Sequence, residues 1–146
     1  MDRFKFRLEK VKSFREKLKK EAERVLAQKM SSLNSAEQIM EQLKEEKDRD
    51  KSSGDNILSA AELMLIGDYD RFIQELLEKQ KVVIQDAEKA VENAREELIE
   101  RAKDEKALSL LKDKKLEEYT DERKRRDRKE TSELAIRQFQ RKPRLE

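Results

Sequence analysis

Apolar residues along this chain recur in alternating steps of four and three. From Phe4 the steps land on Leu8, Val11, Arg15, Leu18, Ala22, Val25, Lys29, Ser32, Ala36, Ile39 and Leu43, apolar everywhere but at Arg15, Lys29 and Ser32. A second run passes through Ile73, Leu77, Gln80, Ile84, Ala87, Val91, Ala94, Leu98, Arg101, Glu105 and Leu108, broken only by Gln80, Arg101 and Glu105. A seven-residue repeat held this long underwinds a helix and keeps one seam against a partner. The pattern predicts two long helices that pair as a coiled coil.

Breaks are few. Helix one is expected over residues 2–50, about 70 Å at 1.5 Å per residue. It should stop in Lys51-Ser52-Ser53-Gly54-Asp55, where Gly54 suits the left-handed C′ position and Asp55 can cap the next helix. Ser59-Ala60-Ala61-Glu62 has the form of a capping box and opens a short connector helix through Leu63 to Ile66. Gly67 is expected to end that piece, with Asp68 as N-cap of a third helix and Asp70 in its first turn. The connector thus covers 51–67 and the last helix 68–140. A short connection between long striped helices favours antiparallel neighbours. Ala87, Ala90 and Ala94 would then approach Ala22 and Ala27. The fold expected is a single all-α domain over 1–146, an elongated antiparallel two-helix coiled coil with a short connector helix.

The last helix outruns its partner, with an overhang expected from about residue 115 to 146. Between Thr120 and Ser132 no residue is apolar, so that segment has no face to bury. Apolar side chains return at Leu134, Ala135, Ile136 and Phe139, and Pro143 marks a frayed end.

Composition sharpens this picture. Charged residues make up 48 % of the chain, aromatics 5 %, and mean hydropathy is −1.11. Such a charge load signals disorder in chains without periodicity, and coiled coil in chains with it. A net charge of +2 commits the protein to neither nucleic acid nor membrane. Pairs such as Glu16–Lys20, Glu75–Lys79 and Glu97–Arg101 stand at helix-supporting spacing. Neither Cys nor His is present, which removes disulfides, thiolate metal sites and imidazole chemistry. Both glycines stand alone in connectors, so no phosphate loop is formed. No metal, cofactor or catalytic residue is expected, and the protein is not expected to be an enzyme. With no apolar run near ~20 residues and no signal segment, the expected location is cytoplasmic.

Surface features remain as candidates. Leu65, Tyr69, Phe72 and Leu76 form a stripe beside the seam, and Phe72 occupies a position that a two-stranded coil does not bury. It marks either a partner patch or a site covered by the connector helix through Leu63 or Ile66. The basic cluster Arg123, Lys124, Arg125, Arg126, Arg128 and Lys129 is interleaved with Asp121, Glu122, Asp127 and Glu130, and only Tyr119 stands near enough to stack a base. A solvated helix or an acidic protein surface suits it better than nucleic acid. Phe6 and Phe14 fall off the seam and, with Leu134, Ile136 and Phe139, would gather where antiparallel helices bring both termini together.

Phe4-Lys5-Phe6-Arg7-Leu8-Glu9-Lys10-Val11 resembles the opening of the flagellar export protein FliJ family. Ala60-x-x-Leu63 followed by Tyr69-x-x-Phe72, and the closing Glu133-Leu134-Ala135 and Arg141-Lys142-Pro143, resemble that family's middle and end, with Ser132 where the family commonly has Asp. The resemblance implies a cytoplasmic component of the bacterial flagellar type III export apparatus, a stalk-like monomer at the inner face of the cell membrane. It implies three partners: a hexameric export ATPase, the export gate membrane protein and export chaperones. Tyr69, Phe72 and Leu76 are then the candidates for the gate. Phe6, Phe14, Arg123, Arg125, Arg126, Leu134 and Phe139 are the candidates for the ATPase ring. The alternatives are the equivalent stalk of a virulence-type secretion system and a structural coiled-coil scaffold pairing between chains.

Overall fold

A computed structural model describes residues 3–52 and 59–141. Two helices account for nearly all of them, α1 (Glu9–Ser52) and α2 (Ala60–Arg141), and no strand occurs among the described residues. Gly54, expected to end the first helix, and Asp55, expected to cap the next, lie outside them, as does Pro143. Two compact units divide the chain: residues 18–101, and residues 1–17 with 102–146.

In the 18–101 unit the two helices run antiparallel. Gln80 Nε2 donates to the Ala36 carbonyl at 2.8 Å, Lys47 Nζ to Gln74 Oε1 at 2.5 Å, and Tyr69 to Glu46 Oε2 at 3.3 Å. Numbers that rise on α1 fall on α2. Met40, Ile73 and Leu77 form the core, with Leu43, Leu76 and Ile84 packed on it; Ile73 is only 1 % exposed. Ala22 and Ala94 are both buried and border one hollow of about 170 Å³ with Leu18 and Val25, which puts them at the same level of the pair. Ala27, expected beside them, is exposed.

The seam of α2 keeps strict heptads: Ile73, Leu77, Gln80, Ile84, Ala87, Val91, Ala94, Leu98 and Arg101 are all buried or half-buried. That of α1 does not. Its inward positions are Leu18, Ala22, Val25, then Lys29 (itself exposed), Leu33, Ala36, Met40, Leu43 and Lys47. Two consecutive steps of four flank Lys29, which is a stutter in the heptad frame and locally unwinds the supercoil. The unbroken frame would have buried Ser32 and Ile39; Ser32 is exposed and Ile39 is 48 % exposed. Both frames share Ala36 and Leu43, and Met40 offsets Ile39. The choice therefore falls on Leu33 against Ser32, and half-burying the leucine is favoured by part of the roughly 1.5–3 kcal/mol that full burial brings.

The separate connector helix is not found. Its capping box is: Glu62 N–H bonds Ser59 Oγ at 3.3 Å and Ser59 N–H bonds Glu62 Oε2 at 3.2 Å. From there α2 runs through Gly67 unbroken. One interior glycine costs a helix about 1 kcal/mol, too little to stop one whose seam is already packed. Asp68 is therefore not a cap; it lies inside the helix and pairs with Arg71 at 3.3 Å. Asp70 falls in phase with the seam, four residues after Ile66, and its Oδ1 is buried with no hydrogen-bond partner among the described residues.

In the other unit, α1 starts at Glu9 rather than near residue 2. Residues 3–8 are non-helical and alternate between exposed Arg3, Lys5 and Arg7 and half-buried Phe4, Phe6 and Leu8. Phe-Lys-Phe-Arg-Leu is a period-two pattern as well as the start of a heptad, and here period two prevails. The Leu8 carbonyl accepts the first helical bond from Lys12 N–H at 2.8 Å. The helices are again antiparallel: Lys112–Glu9 at 2.9 Å and Arg15–Asp104 at 3.3 Å bridge them, and the Phe4 and Tyr119 rings stand 5.4 Å apart. Every side chain from Thr120 to Arg141 is exposed, so the unpartnered stretch starts at Thr120 rather than near 115.

Candidate partner-binding face

The two sides of the seam in the 18–101 unit differ in chemistry. On one side Glu37, Glu41, Lys44, Lys81 and Glu88 surround the edges of Met40 and Ile84. These charged positions each follow a seam residue by one. The positions that precede seam residues by one are mostly apolar: Leu65, Tyr69, Phe72, Leu76, Val83 and Ala90 on α2, interrupted by Lys79 and Asp86. Leu65 is 68 % exposed, Phe72 54 %, Val83 49 % and Tyr69 41 %. Tyr69 and Glu46, both seam-minus-one positions, hydrogen-bond to each other, which places the α1 residues of that class on the same side.

Of the three expected gate residues, Phe72 and Tyr69 are exposed, while Leu76 is half-buried against Met40, Ile73 and Leu77. Leu76 thus belongs to the core as well as to the face. Leu63 and Ile66 belong to the same continuous helix as Phe72 and cannot fold back to cover it. Sequence periodicity alone did not place Ile39 and Val83 on this face. Val83 extends the stripe by one heptad beyond Leu76, a continuation that Lys79 hides. Ile39 fits the core in an unbroken heptad frame, and the stutter turns it outward.

The residues expected at the ATPase ring are dispersed over different surroundings. Phe6 is half-buried in the non-helical N-terminal segment and borders a hollow of about 540 Å³ with Phe4, Lys10 and Lys112. Phe14 is 57 % exposed, Leu134 56 %, Ile136 57 % and Phe139 79 %. The basic cluster is exposed throughout, and Arg126 pairs with Glu122 one turn earlier at 2.9 Å. Tyr119, the residue near enough to stack a base, instead packs on Phe4. Nearby, Lys12 donates to Glu16 at 2.6 Å, and this bond raises the lysine above its ordinary pKa. No group of acidic residues that could hold a metal occurs among the described residues, and no helix there is long and apolar enough to cross a membrane.

No curated protein matches the chain. A solved structure described as a putative YscO homologue from Chlamydia trachomatis superposes with a TM-score of 0.67 at 23 % identity, covering 94 % of this chain and 96 % of that one. At that identity the likeness speaks for the fold alone, an antiparallel helical coiled coil. The family model of the flagellar FliJ protein matches residues 4–144, from the first phenylalanine almost to the last residue. The chain belongs to the flagellar FliJ protein family.

Proposed function

We infer that this protein is a non-enzymatic stalk and coupling component of a bacterial flagellar type III export apparatus. It works in the cytoplasm at the inner face of the membrane and binds the hexameric export ATPase, the export gate and export chaperones. The observation that carries this reading is the family match over 4–144. The surface suits it: exposed apolar side chains such as Phe72 along a helical pair mark a face that acts through what it touches. Tyr69, Phe72 and Leu76 are assigned to the gate, with the exposed Phe72 ring as the anchor. Phe6, Phe14, Arg123, Arg125, Arg126, Leu134 and Phe139 are assigned to the ATPase ring. There the basic residues steer the encounter and the apolar ones hold the complex.

The test is a binding measurement of the purified chain against the ATPase hexamer and the gate's cytoplasmic region. Micromolar or tighter binding to both supports the assignment; binding to neither removes it. A second reading, the equivalent stalk of a virulence-type system, is compatible with the same fold. Stronger binding to a virulence ATPase than to a flagellar one would select it. Sedimentation of the chain alone as a stable dimer would favour the intermolecular scaffold instead.

A further inference from the structure

The apolar face beside the seam is longer than the gate patch and has the spacing of a seam in its own right. Tyr69, Leu76, Val83 and Ala90 repeat at seven-residue intervals, with Leu65 and Phe72 in the same stripe. A helix that carries two adjacent heptad ladders can pack one helix on each, the geometry of a three-stranded coil. Here α1 fills the ladder through Ile73 and Leu77, and the other is open.

The chemistry of α1 points the same way. In a chain that is 48 % charged, residues 30–42 carry only Glu37 and Glu41, and both stand on the charged side of the seam. The side toward the open ladder presents Ser32, Ser35, Ile39 and Gln42. A solvated coiled-coil flank is ordinarily filled with Lys and Glu. Neutral polar residues around an outward isoleucine are what a covered flank carries instead. The register set by Gln80–Ala36 and Tyr69–Glu46 brings Ile39 level with Leu76, so both helices contribute to one groove. The stutter built it, by turning Ile39 out of the core. Around Phe72 its rims carry Asp68, ion-paired with Arg71, and Glu75 on α2 and Glu46 on α1, against Lys79.

We propose that this groove binds an amphipathic α-helix of the partner, a third helix carrying a heptad apolar stripe flanked by Lys or Arg. The proposal rests on the gate reading for the partner's identity and adds the form in which it binds. Phe72 and Leu76 are then only part of the contact; Ile39 faces them from α1, and Val83 carries the far end, about 16 Å along α2 from Phe72 at 1.5 Å per residue. Basic flanks on the partner pair with the acidic rims and fix its register.

The probe is the cytoplasmic region of the export gate, measured by calorimetry at two salt concentrations against the full chain and its variants. Ile39→Gln and Val83→Thr keep the core intact, which circular dichroism and melting check first. Each should weaken binding about tenfold, as interface anchors do on truncation. Lys81→Glu on the opposite side should leave it within about twofold, the usual effect of a charge outside the contact. Overlapping peptides of the gate region, each long enough for about four heptads, should include one that binds the chain and gains helicity in doing so.

If Phe72→Ala abolishes binding while Ile39→Gln and Val83→Thr do not change it, the third helix is overturned and the gate reading stands. If Phe72→Ala also leaves binding unchanged, the gate reading fails, and the groove is not where that partner sits. A stable dimer of the chain that Ile39→Gln dissociates would show a second copy in the groove and would likewise overturn the proposal.

Discussion

Gln80 reaches across the seam to bond the Ala36 carbonyl at 2.8 Å, from a position where the heptad calls for an apolar side chain. A single polar residue in such a position costs stability and fixes alignment, because only one register offers it an acceptor. Gln80→Leu should raise the melting temperature and broaden the alignment. Spin labels at Glu37 and Lys81 would report this as a wider distance distribution. A higher melting temperature with an unchanged distribution would mean that Gln80 does not set the register.

The stutter separates two adjacent residues. Met40→Ala should cost about 2–4 kcal/mol, since Met40 is in the core with Ile73 and Leu77. Ile39→Ala should cost under about 1 kcal/mol, as a half-exposed side chain does. Denaturant melts of the two variants check this, and the reverse order would restore the unbroken frame.

Gly67 lies within α2 with ordinary helical geometry, and a Cβ built there meets nothing within 4 Å. Gly67→Ala should therefore stabilise the protein by about 0.5–1 kcal/mol. A loss of stability would show that a break at this position is real and that alanine opposes it.

The Phe4–Tyr119 ring contact pins the non-helical N-terminal segment to α2. A double-mutant cycle with Phe4→Ala and Tyr119→Ala should give a coupling of about 0.5–1.5 kcal/mol, the range for aromatic pairs. Amide exchange in Lys5 to Leu8 should accelerate in either single variant. Zero coupling would detach the segment from Tyr119.

Against the ATPase hexamer, Arg125→Glu with Arg126→Glu should slow association and reduce its dependence on salt, since exposed charges act mainly on encounter. Truncation after Ser132 removes Leu134, Ile136 and Phe139 and should mainly speed dissociation. Stopped-flow kinetics separates the two effects. A truncated chain with an unchanged dissociation rate would leave Phe6 and Phe14 as the only apolar anchors.

The α2 seam was legible in the sequence residue by residue, because nothing competes with a strict heptad of Ile, Leu, Val and Ala. The capping box at Ser59 was legible because Ser and Glu three residues apart satisfy each other's backbone donors locally. Two places were not. In α1 the frames through Ile39 and through Met40 both bury apolar residues, and the choice turned on Leu33 against Ser32. At Phe4-Lys5-Phe6 a period of two and a period of 3.5 start from the same residue, and the packing of Phe4 on Tyr119, a tertiary contact, accompanies the first. Gly67 misled in a third way: local propensity argued for a break, and packing of the helix overrode that preference. The face carrying Phe72 was visible in part, its continuation through Val83 hidden by Lys79 and its α1 wall by the unseen stutter.

Residues 120–141 stay helical with every side chain exposed, and up to Ser132 none of them is apolar. What supports them is one-turn charge pairing of the kind seen at Arg126–Glu122. Each such pair contributes about 0.3–0.5 kcal/mol and weakens with added salt. The segment is in effect an electrolyte-sensitive strut of about 33 Å, at 1.5 Å per residue. At low ionic strength it holds Leu134 and Phe139 at a set reach from Tyr119. As salt rises its ends shorten and soften, so the same chain presents its terminal side chains over a broader volume.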